Sequence, residues 1–232
     1  PRGRVRELPP TRAPAIRGAN ASYTSNMGPT SYCFSAGPAS NWDMRGQKVG
    51  FVTLYDPTRI RDITDGTSNT IAMGEAQIGL NRGRWQTGTG LPRDPTYRVV
   101  TGQRLQRANN RAGRRWTNSP AHIAAINTYY DNCLSMYDSG SGWHGSSDEQ
   151  GRFWAAGRVF WGPWMTTLIG PNAGPACDND NSVTDMSVKE ASSHHTGGVN
   201  LVLGDGSVKF SSSNVDQRVW IAAGSISGQE PM

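Results

Sequence analysis

Three groups of residues carry side chains that do chemistry. His195 and Asp205, a base and an acid with nine residues between them, would form a proton-transfer pair if they met. Within Asp178 to Asp185, the residues Asp178, Asp180, Ser182 and Asp185 concentrate hard oxygen donors of the kind calcium takes. This run is no EF-hand, because Val183 stands where that loop needs glycine and Lys189 falls at its twelfth position. Trp143, Trp154, Trp161 and Trp164 are half of the eight tryptophans. Aromatic faces beside Asn, Asp and Arg suit stacking on sugar rings, which would make a glycan site. The same rings also fill the core of a glycine-rich sheet poor in Leu and Ile, and that is the use we expect. No G-x-S-x-G, H-E-x-x-H, P-loop or Rossmann fingerprint occurs, so we do not expect an enzyme and name no catalytic residue.

The elements that hold His195 and Asp205 decide whether they meet. Asp205-Gly206 lies between two short apolar runs and supplies the positive φ angles of a two-residue hairpin turn. That register sets Leu203 opposite Val208 and Leu201 opposite Phe210, placing Val199, Leu201, Leu203, Val208 and Phe210 on one face. From Val199 to Gly204 a strand advances on the order of 16 Å, so the hairpin holds the histidine and the aspartate at opposite ends. Asp205 then reads as a turn residue. His194 and His195 read as partners of backbone or carboxylate groups near the bend at Gly197-Gly198.

The spacing from His195 to Asp205-Gly206 resembles the H-X9-DG signature of the prepilin-type H-X9-DG domain family, whose function is unknown and which is related to type II secretion pseudopilins. Four more stretches resemble that family in the same order. They are Arg61 to Thr70, Met73-Gly74-Glu75, Leu168 to Cys177 with its P-N-x-x-P-x-C ending, and Val215 to Gly224. The resemblance implies a pseudopilin-head-like fold, copies of the chain or other pilin-like subunits as partners, and calcium in a loop near the C-terminal end. Family members carry a prepilin leader and a long apolar helix, which this sequence lacks. Pro1 in place of an initiator methionine leads us to expect residues upstream.

Composition bounds the rest. The 232 residues include 28 Gly and 14 Pro against 35% hydrophobic residues, which points to a folded, loop-rich protein. Charge is uneven: residues 1–20 carry a net +4, residues 82–115 a net +8, and residues from Trp116 onward a net −6. Such a dipolar chain is suited to head-to-tail association with itself. A short helix over 102–112 would carry Arg104, Arg107 and Arg111 on nearly one face. The aromatic residues lie outside that arginine cluster and no nucleic-acid motif is present, so nucleic acid is not an expected partner. Cys33, Cys133 and Cys177 show no metal or haem spacing. We expect a Cys133–Cys177 bridge, since the two bracket the tryptophan-rich stretch, although three pairings are open. No run of apolar residues is long enough to span a membrane and no signal peptide is visible.

Residues 1–20 read as an extended Arg/Pro arm, and residues 21–232 as a single domain with a variable insertion at about 76–120. Asp56 to Ile63 reads as one or two helical turns with Ile60 and Ile63 inward, and Thr64 to Asn69 as a self-satisfied Asx turn. Thr70 to Met73 reads as a strand. Pro120 to Asn127 is too short to assign by periodicity. Asn214 is expected to cap a C-terminal helix that ends at Gly224 and turns Val215, Val219 and Ala222 inward. The expectation is an α+β fold, a mostly antiparallel sheet with long loops and a short C-terminal helix. The expected role is an exported structural subunit, in the periplasm, at the cell surface or outside the cell, with a glycan-binding module as the alternative.

Overall fold

A computed structural model describes residues 28–40, 48–53, 57–78, 99–101, 117–138, 151, 153–155, 162–178 and 188–228. The expected 1–20 arm and most of the 76–120 insertion lie outside them.

The strands are β1 (Tyr32–Ser35), β2 (Ile71–Glu75), β3 (Val99–Thr101), β4 (Trp164–Met165), β5 (Ala176–Asp178), β6 (Gly198–Leu203) and β7 (Val208–Ser212). The helices are α1 (Pro120–Asp138) and α2 (Gln217–Gly224), with a 3-10 turn at Ile60–Asp62. A five-stranded sheet runs β4-β1-β2-β6-β7, and β3 pairs with β5 in a smaller one. In the larger sheet every pairing is antiparallel except β1 with β4. The fold is α+β, as expected.

The hairpin register differs from the expected one by one residue. Val202 pairs with Val208, Leu201 with Lys209 and Asn200 with Phe210. The Gly206 N–H donates to Leu203 O at 2.9 Å, and Leu203 N to Ser207 O at 2.9 Å. Gly206 has φ +86°, and the loop is the three-residue kind in which a turn is followed by a left-handed glycine. A slip of one residue turns β7 over. Val199, Leu201 and Leu203 are buried as expected, but Val208 and Phe210 face outward and are exposed.

The buried side of the sheet packs Cys33, Ile71, Met165, Val199, Leu201 and Leu203 around Trp220 of α2. The neighbouring Ile221 enters a second cluster with Ile126, Tyr129, Tyr130 and Cys133 of α1. Two adjacent residues of one short helix thus join the two halves of the core. The cap of α2 is Asp216, whose carboxylate accepts from Arg218 N and Val219 N, in place of the expected Asn214. The two-residue shift rotates the buried face to Trp220, Ile221 and Ala222 and leaves Val219 exposed.

Helix α1 opens with Pro120 at its first position and Ser119 as its cap, the Ser119 hydroxyl accepting from His122 N. Ile126, Tyr129, Tyr130 and Cys133 recur at helical spacing and form its buried stripe. Cys133 is disulfide-bonded to Cys177, with Cα atoms 6.3 Å apart, as expected. Ile63, just past the 3-10 turn, is buried but Ile60 is exposed, because Ile63 has left helical geometry (φ −91°, ψ 80°) and no longer eclipses Ile60.

Candidate functional site

His195 and Asp205 flank β6 and have separate partners. The His195 imidazole meets Glu75 of the Met73-Gly74-Glu75 stretch, with Nε2 to Oε1 at 3.1 Å. The same carboxylate accepts from Asn200 N at 2.8 Å and from the Asn200 side-chain amide at 3.1 Å. Burial pushes the Glu75 pKa up, but the Asn200 donors and His195 outweigh it and hold the group below its usual value. The imidazole is more than half exposed, whereas Glu75 is nearly covered. The carboxylate is therefore the fixed member, attached to the sheet, and the histidine docks the incoming loop onto it. The sequence led us to expect a backbone or carboxylate partner for this histidine; that it is a carboxylate, and that it comes from β2, is settled by strand pairing.

Asp205 acts within its own turn. Oδ1 accepts from Ser207 N at 2.9 Å and from the Ser207 hydroxyl at 2.7 Å, and these bonds hold its pKa below the ordinary carboxylate range. Its own N–H donates to Thr67 O at 3.1 Å, and Gly204 N donates to Thr70 O at 2.9 Å. The Asp65-Gly66 turn thus abuts the Asp205-Gly206 turn. Residues 64–70 are only partly bonded among themselves, with the Asn69 amide donating to Asp65 O and the Thr70 hydroxyl to Gly66 O. Thr64 N and Asp65 N donate to Ile226 O and the Thr70 hydroxyl also reaches Ser225 O, so the turn is not the self-satisfied one expected, because the C-terminal segment packs against it. Asp65 also receives Gly228 N at 2.6 Å, tying this turn to the C-terminal segment.

The P-N-x-x-P-x-C stretch supplies a third tie. Asn172 has φ 58°, a left-handed conformation that asparagine accepts better than most residues. Its Oδ1 receives Ser193 N at 2.8 Å, its amide donates to the Ser213 hydroxyl at 3.1 Å, and its N–H donates to Ala191 O at 2.9 Å. One side chain thus locks both ends of the β6–β7 hairpin to the segment that precedes it. In α2 the Gln217 amide donates to Leu168 O at 2.9 Å and to the Asn127 side chain at 3.0 Å, linking both helices.

An imidazole on a carboxylate can carry a proton. Its neighbour, the Ser193 hydroxyl, donates to Gly198 O at 2.8 Å and accepts from His195 N at 3.0 Å, which commits it to the loop. Among the described residues no group of three or more His, Cys, Asp or Glu side chains is placed to hold a metal ion. Of the calcium candidates, Asp178 ends β5, while Asp180, Ser182 and Asp185 lie outside the described residues. Of the tryptophans, Trp154 is exposed and Trp164 is half-buried on β4; Trp143 and Trp161 lie outside the described residues.

Sequence reasoning missed two features of this region. Lys189 and Glu190 are wholly buried, which no local pattern signals in a polar stretch. On its open side the sheet carries two rows of cross-strand neighbours. One is Tyr32, Glu75, Asn200 and Phe210, and the other is Phe34, Met73, Val202 and Val208. Tyr32, Phe34, Val208 and Phe210 are exposed by 55%, 39%, 67% and 55%.

No curated protein and no solved structure matched the chain. A family model described as "Protein of unknown function (DUF1559)" matches residues 6–218, and the chain belongs to that family.

Proposed function

We propose that this chain is an exported structural subunit of the prepilin-type H-X9-DG kind, which associates with copies of itself or with pilin-like subunits in a pilus-like, secretion-type or surface fibre. The carrying observation is the open sheet face, where exposed Tyr32 and Phe34 on β1 and exposed Val208 and Phe210 on β7 stand on either side of β2 and β6, and half-buried Met73 and Val202 make the Phe34–Val208 row apolar throughout. A contiguous apolar patch on a stable sheet is characteristic of an interaction surface, whereas apolar residues scattered singly are not. The signature residues serve this role as positioning groups, because His195, Glu75 and Asn172 hold the hairpin that contributes half of that face. The disulfide supports export, since such bonds persist in oxidising compartments.

The test is oligomeric state against protein concentration and salt, by light scattering and electron microscopy. We expect assemblies that strengthen with concentration, and the double variant Val208→Thr/Phe210→Ser should remain monomeric with its thermal transition little changed. A wild-type chain that stays monomeric at every concentration and salt level would refute the reading.

Glycan binding is a second reading, favoured by the exposed ring of Trp154. Titration of a glycan panel against tryptophan fluorescence should then give a quench that Trp154→Ala removes. A flat response across the panel argues against it.

A further inference from the structure

Cys33 is the cysteine left outside the disulfide, and it is not alone. Lys189 Nζ lies 3.5 Å from its Sγ, across 156 residues of sequence. Both residues are wholly buried. Among the described residues Lys189 Nζ also donates to Gly162 O at 3.2 Å. An ammonium carries three donors, and among the described residues it faces one thiol and one carbonyl. Among the described residues the ion pairs are Lys48–Asp62 and His195–Glu75, so no described carboxylate compensates Lys189 at bonding distance. A buried cation so placed is unfavourable, whereas a nitrogen covalently joined to its neighbour carries no such penalty. The lysine amine is a nitrogen nucleophile, which the delocalised guanidinium of arginine is not. The disulfide elsewhere in the chain forms only under oxidising conditions, and dioxygen is small and apolar enough to reach a buried thiol.

We propose that Cys33 and Lys189 form a covalent redox cross-link in which one oxygen atom bridges the cysteine sulfur and the lysine nitrogen. The oxidant is dioxygen. One S–H and one N–H bond break, one oxygen atom bonds to both sulfur and nitrogen, and the other leaves as water with the two hydrogens. Sulfur and nitrogen each give up two electrons, and dioxygen takes all four. An interposed oxygen spans more of the 3.5 Å separation than a direct S–N bond would, so the bridge closes with the smaller movement. It would staple β1 to the segment preceding β6, beside the core of the sheet and apart from the Cys133–Cys177 bond.

The experiment uses the full chain, prepared in air with Cys133–Cys177 oxidised. The chain is denatured without reductant in the presence of iodoacetamide, digested with trypsin and weighed by mass spectrometry. We expect little alkylated Cys33, no cleavage after Lys189, and a joined peptide heavier than its two parts by one oxygen and lighter by two hydrogens. Dithiothreitol should release it, returning an alkylatable Cys33 and a cleavable Lys189. In Lys189→Arg, Cys33 should be alkylated without prior reduction. Complete alkylation of Cys33 in the wild-type chain, both from air and after added hydrogen peroxide, overturns the proposal. So does a joined peptide lacking the extra oxygen, or a Cys33 found only as sulfinic or sulfonic acid. The wild-type measurement decides the matter whether or not the variant folds.

Discussion

Glu190 has a wholly buried carboxyl with no hydrogen-bond partner from another residue, and burial raises its pKa to about 8. In the unfolded chain the same group ionises near the usual carboxylate value, about 4.3. Between those values the native state holds a proton that the unfolded state has lost, so stability falls as pH rises through this window and levels off above it. The expected loss is of the order of a few kcal/mol. Urea unfolding of Glu190→Gln at pH 5 and at pH 8 should give nearly equal stabilities where the wild type gives a marked decline. Glu75 behaves in the opposite sense. Its lowered pKa contributes stability above the usual carboxylate range, and this is lost as pH falls through the native value. Removing its charge in Glu75→Gln leaves the Asn200 N–H with a weaker acceptor and releases His195; the expected cost is about 1–3 kcal/mol at neutral pH, read from denaturant midpoints.

The β6–β7 hairpin shows how one residue sets an element. Gly206 occupies the left-handed region at φ +86°, where a side chain costs roughly 1–2 kcal/mol. Gly206→Ala should lower stability by about 1 kcal/mol with the register retained, whereas Gly206→Val should cost more; thermal unfolding checks both. The glycine at the end of α2 answers a different requirement. A Cβ on Gly224 would fall on the Thr167 side chain, so Gly224→Ala should be the more damaging substitution although it favours the helix locally. Equal melting temperatures for Gly206→Ala and Gly224→Ala would contradict this ranking. The Asp205-Gly206 dipeptide was enough to place the hairpin, yet it left the loop length open between two and three residues. Partners outside the turn fixed that choice, with Thr67 and Thr70 accepting from Asp205 and Gly204. The consequence reaches the whole of β7, because a one-residue slip exchanges its faces.

At the scale of the molecule, α2 holds two clusters together and the disulfide lies within one of them. Trp220 serves the sheet, Ile221 serves α1, and Cys133–Cys177 joins α1 to β5 across 44 residues. By loop entropy that bridge adds about 4 kcal/mol. Cys133→Ser/Cys177→Ser should lose stability of that order in denaturant, with the sheet signal in circular dichroism surviving at low temperature.

Among the described residues no helix is long and apolar enough to cross a membrane. The sequence alone determined the hairpin, the short C-terminal helix and the α+β class, and it put Cys133–Cys177 first among three open pairings. These follow from turn chemistry, apolar patterning and the spacing of rare residues, all of which act over short stretches of chain. The tertiary structure decided that Glu75 receives His195, that Asn172 ties three segments, that Lys189 lies against Cys33, and which face β7 turns outward. Those relations join residues up to 156 positions apart and depend on strand order and register, which local patterns do not encode.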